Sequence, residues 1–230
     1  MRASSIVVDA LIKPMEITIK DPAILFMQLY TAIIYATYYS FFEAFPMVYP
    51  KEYHMNLGDI GLIFLAILVA CILGVIIHVL YLHFWAIPRI MKFGPPVPEE
   101  RLVPGLIASV GPVIGLFIFA WTARASIPWI APTIGITLYA TSVFIILQCI
   151  FIYIPLSYPQ YAASLFAAND LFRSALACGS VLFAYPLFGN LGVAWGVTVL
   201  GGLSVIGVLG IWVLYFLGAK LRALSKFAVV

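Results

Sequence analysis

Six apolar stretches of bilayer-spanning length recur along this chain, at residues 23–45, 57–82, 102–122, 127–154, 161–188 and 191–217. A hydrocarbon core needs about 20 such residues as a helix. No water is available inside it, so every backbone N–H and C=O must bond within the segment. The expected fold is an all-α membrane protein, a six-transmembrane-helix bundle. Composition agrees, since only 9% of residues are charged, where a soluble domain carries about 25%. The connections are short, which predicts that successive helices are antiparallel neighbours. Residues 1–20 read as a cytoplasmic segment, 21–219 as the membrane domain and 220–230 as a cytoplasmic tail.

Charge sets the expected orientation. An even number of crossings leaves both termini on one side. That side collects Arg2, Lys13, Lys20, Arg89, Lys92, Arg101, Lys220, Arg222 and Lys226, and the other holds Lys51 and Arg124. An excess of Lys and Arg marks the cytoplasmic face, so both ends are expected there. Trp85, Trp121, Trp129 and Trp195 fall near expected helix ends, as interfacial aromatics do. The N-terminal segment lacks the apolar core and small-residue cleavage site of a signal peptide. Cys71, Cys149 and Cys178 all lie in apolar runs, so no disulfide framework is indicated.

Prolines and charges at residues 85–101, with GPPVPEER at the end, predict a connector without helix. Helix-weakening residues also occur inside the crossings: Gly111-Pro112 with Gly115, Pro132 with Gly135, Pro186, and Gly201-Gly202. Gly111/Gly115 and Gly192/Gly196 have small-xxx-small spacing. Such residues serve close helix packing or mark helices that unwind at a transport site.

The stretch with the most chemistry is YPQYAASLFAANDLFRS, residues 158–174, which puts Asn169, Asp170 and Arg173 inside a crossing. An Asp or Arg at a membrane helix centre costs roughly 2.5–3.5 kcal/mol, so such groups face protein or a water-filled path. On a helix Asp170 and Arg173 are i,i+3 neighbours able to pair, and Asn169 shares a face with Arg173. The pair either neutralises itself in the core or couples protons, protonation of Asp170 releasing Arg173.

In the first crossing Gln28, Thr31, Tyr35, Tyr39 and Phe42 recur at helical steps. That face suits either helix packing or a cavity for amphipathic or aromatic molecules, through ring stacking and hydroxyl bonds. Glu43 follows near the outer end, as a proton-binding or simply solvated carboxylate. In the fourth crossing Thr133, Thr137, Thr141 and Gln148 form a stripe in which Gln148 stands out, because a buried amide needs several partners. His78 and His83, late in the second crossing, are either interfacial or a proton relay, and His54 lies in an outer loop. Metal-ligand spacing, nucleotide-binding loops and paired catalytic groups do not occur, so the reading is no enzyme, no metal and no cofactor. The basic residues lie at membrane edges, which argues against nucleic acid as a partner.

The runs DPAILFMQLYTAIIYATYYSFFEAFPMVY, PEERLVPGLIASVGPVIGLFIFAWT, YPQYAASLFAANDLFRS and LGAKLRALSKFA resemble the C-terminal half of fungal drug:proton antiporters of the major facilitator superfamily. The resemblance covers essentially the whole chain and is closest to the multidrug-resistance type. It implies that the crossings are helices seven to twelve of a twelve-helix fold, in the plasma membrane. It also implies proton-driven export of xenobiotics or secondary metabolites, and a separate N-terminal six-helix half as partner. On that basis Gln28, Tyr35, Tyr39, Gln148 and Asn169 are substrate-cavity candidates, and Glu43, Asp170 and Arg173 are proton-coupling candidates. The alternative is a truncated, non-transporting fragment or a membrane interaction subunit. On the transporter reading the expected partners are the lipid bilayer, small amphipathic or aromatic molecules, and protons.

Overall fold

A computed structural model of the chain describes residue 12, residues 14–94 and residues 97–224. Arg2, Lys13 and Lys226 of the charge count, with Pro95 and Pro96 of the connector, lie outside the described residues. The described chain is helical, with no strand. Among the described residues, five helices are long and apolar enough to cross a membrane, and a bent pair makes a sixth if taken as one span.

That pair is α1 (Pro14–Lys20) and α2 (Pro22–Tyr53), which meet at 103°. Pro22 has no N–H to continue α1, and is preorganised for the first position of a new helix. Asp21 caps α2, its carboxylate accepting from the N–H of Ala23 at 3.0 Å and of Ile24 at 3.3 Å. The other carboxylate oxygen accepts from the Tyr158 hydroxyl at 2.6 Å, and both residues are fully buried.

The second crossing is α3 (Leu57–Ile63) with α4 (Leu65–Tyr81), and it extends further than the sequence suggested. A π-helical turn at Leu82–Ala86 leads into α5 (Ile87–Phe93), so most of the supposed non-helical connector is helix. The widened turn accommodates Pro88, whose ring otherwise clashes with the carbonyl four residues earlier. The chain leaves the helix at Gly94, with φ of +84°. Arg89 then closes the connector by a forked bond to Glu100 at 3.0 and 2.7 Å.

The third crossing comprises a 3₁₀ turn (Pro98–Leu102), α6 (Val103–Ala108) and α7 (Val110–Thr122). Pro112 offers no N–H to the Ala108 carbonyl, and the helix breaks at Ser109. Pro132 falls in the first turn of α8 (Ile130–Ser157), where no helical donor is needed, so it breaks nothing. α9 (Ala162–Leu191) and α10 (Val193–Leu224) are separated by Gly192 alone, at φ +77°. α10 runs unbroken through Gly201-Gly202.

Successive crossings are not, in general, the neighbours. The main contacts join α2 to α9, α7 to α8, α10 to α7, α4 to α8 and α10 to α2, while α8 barely touches α9. Short connections only force neighbours when the elements they join turn back on each other directly. The successive pair α7 and α8 does pack together, and small residues set how closely. A Cβ on Gly115 would stand 2.7 Å from the Gly135 carbonyl oxygen, and one on Gly135 would stand 2.7 Å from that of Gly115. The α7 and α8 backbones therefore touch, as close-packed membrane helices do.

At the end where α2 begins, a buried ion pair ties the third crossing to α10. Arg222 donates from Nε and Nη2 to Glu99 at 2.7 and 2.9 Å, and Tyr153 from α8 reaches the same carboxylate at 3.5 Å. Glu99 and Arg222 are 5% and 9% exposed, which is low enough that neither charge could stay unpaired.

Candidate functional site

The α2–α9 seam holds most of the sequence-predicted residues. α9 turns Leu165, Ala168 and Asn169 towards α2 and leaves Ala163, Ala167, Asp170, Ser174 and Cys178 exposed. Inside the seam Asn169 donates to Gln28 Oε1 at 2.5 Å and to Thr31 Oγ1 at 2.6 Å. Gln28 in turn donates to the Leu165 carbonyl at 3.2 Å. Asn169 and Gln28 are thus buried and bonded to one another between the helices. Further along, Ser40 donates to the Ser180 carbonyl at 3.3 Å.

Beside the seam lies an open hollow. Arg173 Nη2 donates to Asp170 Oδ1, one turn away on the same helix. The guanidinium stands 4.5 Å over the ring of Tyr35 on α2, and 5.9 Å from that of Phe151 on α8. Tyr35 and Tyr39 meet edge to face at 4.9 Å, with their hydroxyls 3.3 Å apart. A cavity of about 240 Å³ is lined by Tyr35, Tyr39, Ser174, Ala177, Cys178 and Val181. A second, of about 160 Å³, lies among Tyr35, Tyr38, Cys71, Phe144 and Leu147. Tyr35 lines both, so a hydroxyl-bearing compartment and an apolar one share a wall.

The electrostatics are lopsided. The Asp170 side chain is 67% exposed, whereas that of Arg173 is 19% exposed, and Arg173 Nε has no hydrogen-bond partner among the described residues. A cation over an aromatic face gains about 0.5–2 kcal/mol, more as water is excluded. Arg173 is accordingly held by rings and Asp170 is turned outward.

The remaining candidates sit apart. Gln148 is half-buried on α8, one turn before Phe151, with no hydrogen bond among the described residues. Glu43 is half-buried within α2, which continues to Tyr53 instead of ending near Phe45. His78 lies tilted near Tyr81 and His83 meets Phe84 edge to face, and neither contacts the Asp170–Arg173 pair among the described residues. Among the described residues, no group of three or more His, Cys, Asp or Glu could hold a metal ion.

The comparisons with known proteins decide what kind of bundle this is. The chain is 44% identical over 228 residues to the MFS-type transporter pyvG of Aspergillus violaceofuscus, covering 99% of this chain and 42% of that protein. This chain is a homologue of fungal MFS-type transporters. It is also 37% identical to Transporter mfs1 of Schizosaccharomyces pombe, over 95% of this chain and 42% of the relative. Fluconazole resistance protein 1 of Saccharomyces cerevisiae shares 34%, over 98% of this chain and 41% of its own length. The chain spans about two-fifths of the length of the curated relatives it matches. No family model and no solved structure matches it.

In this bundle the sequence reading missed Ser174 and Cys178, although their i+4 and i+8 spacing from Asp170 places them on its face. Phe151, Tyr38, Phe144 and Leu147 carried no signal. They are ordinary apolar residues, and only the packing of α4 and α8 against α2 brings them to Tyr35.

Proposed function

We propose that this chain is the C-terminal half, helices seven to twelve, of a proton-coupled exporter of multidrug type. It acts with an N-terminal six-helix half that covers the exposed face of α9. The single observation carrying this reading is Asp170, two-thirds exposed more than two turns inside a membrane-spanning helix. A carboxylate there cannot face lipid at acceptable cost, so water or a partner lies against it. The small residues around it, Ala163, Ala167 and Ser174, allow a second bundle to approach closely.

In this reading Tyr35, Tyr39 and Phe151 stack against an aromatic or amphipathic substrate, and the two compartments at Tyr35 take its polar and apolar ends. Gln148, next in the chain to the cavity-lining Leu147, supplies a polar group to the same substrate. Gln28 and Asn169 hold α9 in place from behind. Protonation of Asp170 frees Arg173, whose charge then meets either substrate or partner half, and Glu43 is a second site where a proton could be taken up. The role is transport, not catalysis, across the plasma membrane, with both termini cytoplasmic.

The test is drug susceptibility in a pump-deficient yeast expressing this chain alone, this chain with an N-terminal six-helix half, and the pair carrying Asp170→Asn. Resistance only from the pair, and its loss on mutation, is the expected result. Resistance from the chain alone would remove the need for a partner. Susceptibility in every strain, despite surface expression, would overturn the multidrug reading.

A further inference from the structure

A groove of about 440 Å³ opens between α2 and α10, at the end of the bundle where α2 begins and α10 finishes. Pro22 and Phe26 form one wall, and Ile206, Leu209, Gly210 and Leu221 the other. Gly210 shapes it, because a Cβ at that position would strike the Phe26 ring. The ring occupies the space beside the α10 backbone. From Ile206 to Leu221 the helix advances about 22 Å, against about 15 Å for half of a hydrocarbon core. The groove is therefore long enough to run the depth of one leaflet and on into the headgroup layer. Ile206 and Leu209 are 62% and 64% exposed, so it lies open sideways to lipid.

Positive charge stands at its wet end. Lys220 immediately precedes Leu221, and Lys20 lies two residues before Pro22; both are exposed. Lys20 shares its charge with Glu16 at 2.5 Å. Lys220 joins no ion pair among the described residues. Phe216, exposed and 6.1 Å from the Trp212 ring, precedes Lys220 by one turn of α10.

We propose that this groove binds a phospholipid with an anionic headgroup, one acyl chain lying against Phe26 and Leu209 and the headgroup phosphate on Lys220, assisted by Lys20. The assignment to the cytoplasmic leaflet, where anionic lipids concentrate, rests on the orientation proposed above. The site itself does not. Lipid binding is measured without transport, so its failure and a failure of the transport reading are distinguishable.

The experiment is native mass spectrometry of the full chain, released from nanodiscs of phosphatidylcholine mixed with phosphatidylserine, counting retained lipids. The expected result is retention of phosphatidylserine over phosphatidylcholine. Lys220→Gln reduces that preference about fivefold, as one lysine near a membrane surface contributes, and Lys20→Gln reduces it less. Leu209→Trp fills the groove and lowers retention of both lipids while helical circular dichroism is unchanged. Equal retention of the two lipids by the unmodified chain would overturn the proposal, as would a preference untouched by Lys220→Gln. Retention unaffected by Leu209→Trp would mean that protein covers the groove, and would overturn it too.

Discussion

The guanidinium of Arg173 rests 4.5 Å over the ring of Tyr35 while its charge partner, Asp170, points outward. The two helices are thereby joined through an aromatic face, and the carboxylate is left available. Tyr35→Phe keeps the ring and loses only the bond to Tyr39, so under the function proposed above efflux by the chain paired with an N-terminal half is expected to survive within about threefold. Tyr35→Ala removes about 0.5–2 kcal/mol of cation–π attraction and is expected to abolish resistance. Growth on graded drug, normalised to surface expression, separates the two.

Asn169 donates to Gln28 Oε1 between α2 and α9, so removing Asn169 leaves that buried acceptor without a donor. Asn169→Leu is expected to lower stability by about 1–3 kcal/mol, the cost of an unpaired buried polar group. The double change Gln28→Leu with Asn169→Leu is expected to recover part of it, because neither partner is then orphaned. Thermal unfolding in detergent, followed by tryptophan fluorescence, measures both.

Glu99 and Arg222 form a buried forked pair. Glu99→Gln leaves a buried cation with half its acceptors and is expected to destabilise by up to about 3–5 kcal/mol. Glu99→Met together with Arg222→Met, which removes both charges, is expected to cost much less. The same unfolding assay checks this, and equal losses in the single and double variants would refute it.

Gly115 and Gly135 bring two backbones into contact, and no side chain fits between them. Gly115→Val or Gly135→Val is expected to separate α7 from α8 and to yield protein that elutes as aggregate on size exclusion. Gly202→Ala, where a Cβ meets open space, is expected to elute like the unmodified chain.

Much of the site could be read from spacing. Helical periodicity places Tyr35 beside Tyr39 and Asp170 beside Arg173, and the structure shows both contacts. Gln28 and Asn169 were also singled out, but spacing cannot say that they face each other. That depends on α2 lying against α9, between residues 141 positions apart. The connector at residues 85–101 misled for a local reason. Its prolines forbid regular α-helix, but a π turn and the free first turn of a new helix both tolerate them.

By itself, then, the sequence determined that this chain is a bundle of membrane helices, which face of each helix carries polar groups, and where charge gathers. These follow from hydrocarbon thickness and from 3.6 residues per turn, which act on each segment alone. Only the tertiary structure decided which faces meet. The pairing of Glu99 with Arg222, the ring of Tyr35 beneath Arg173 and the groove beside Gly210 depend on helix contacts between distant segments. Lipid is as apolar as leucine, so hydrophobicity does not choose a membrane helix's partner. Close backbone approach at glycines and the need to satisfy buried polar groups make that choice, and both depend on shape in three dimensions.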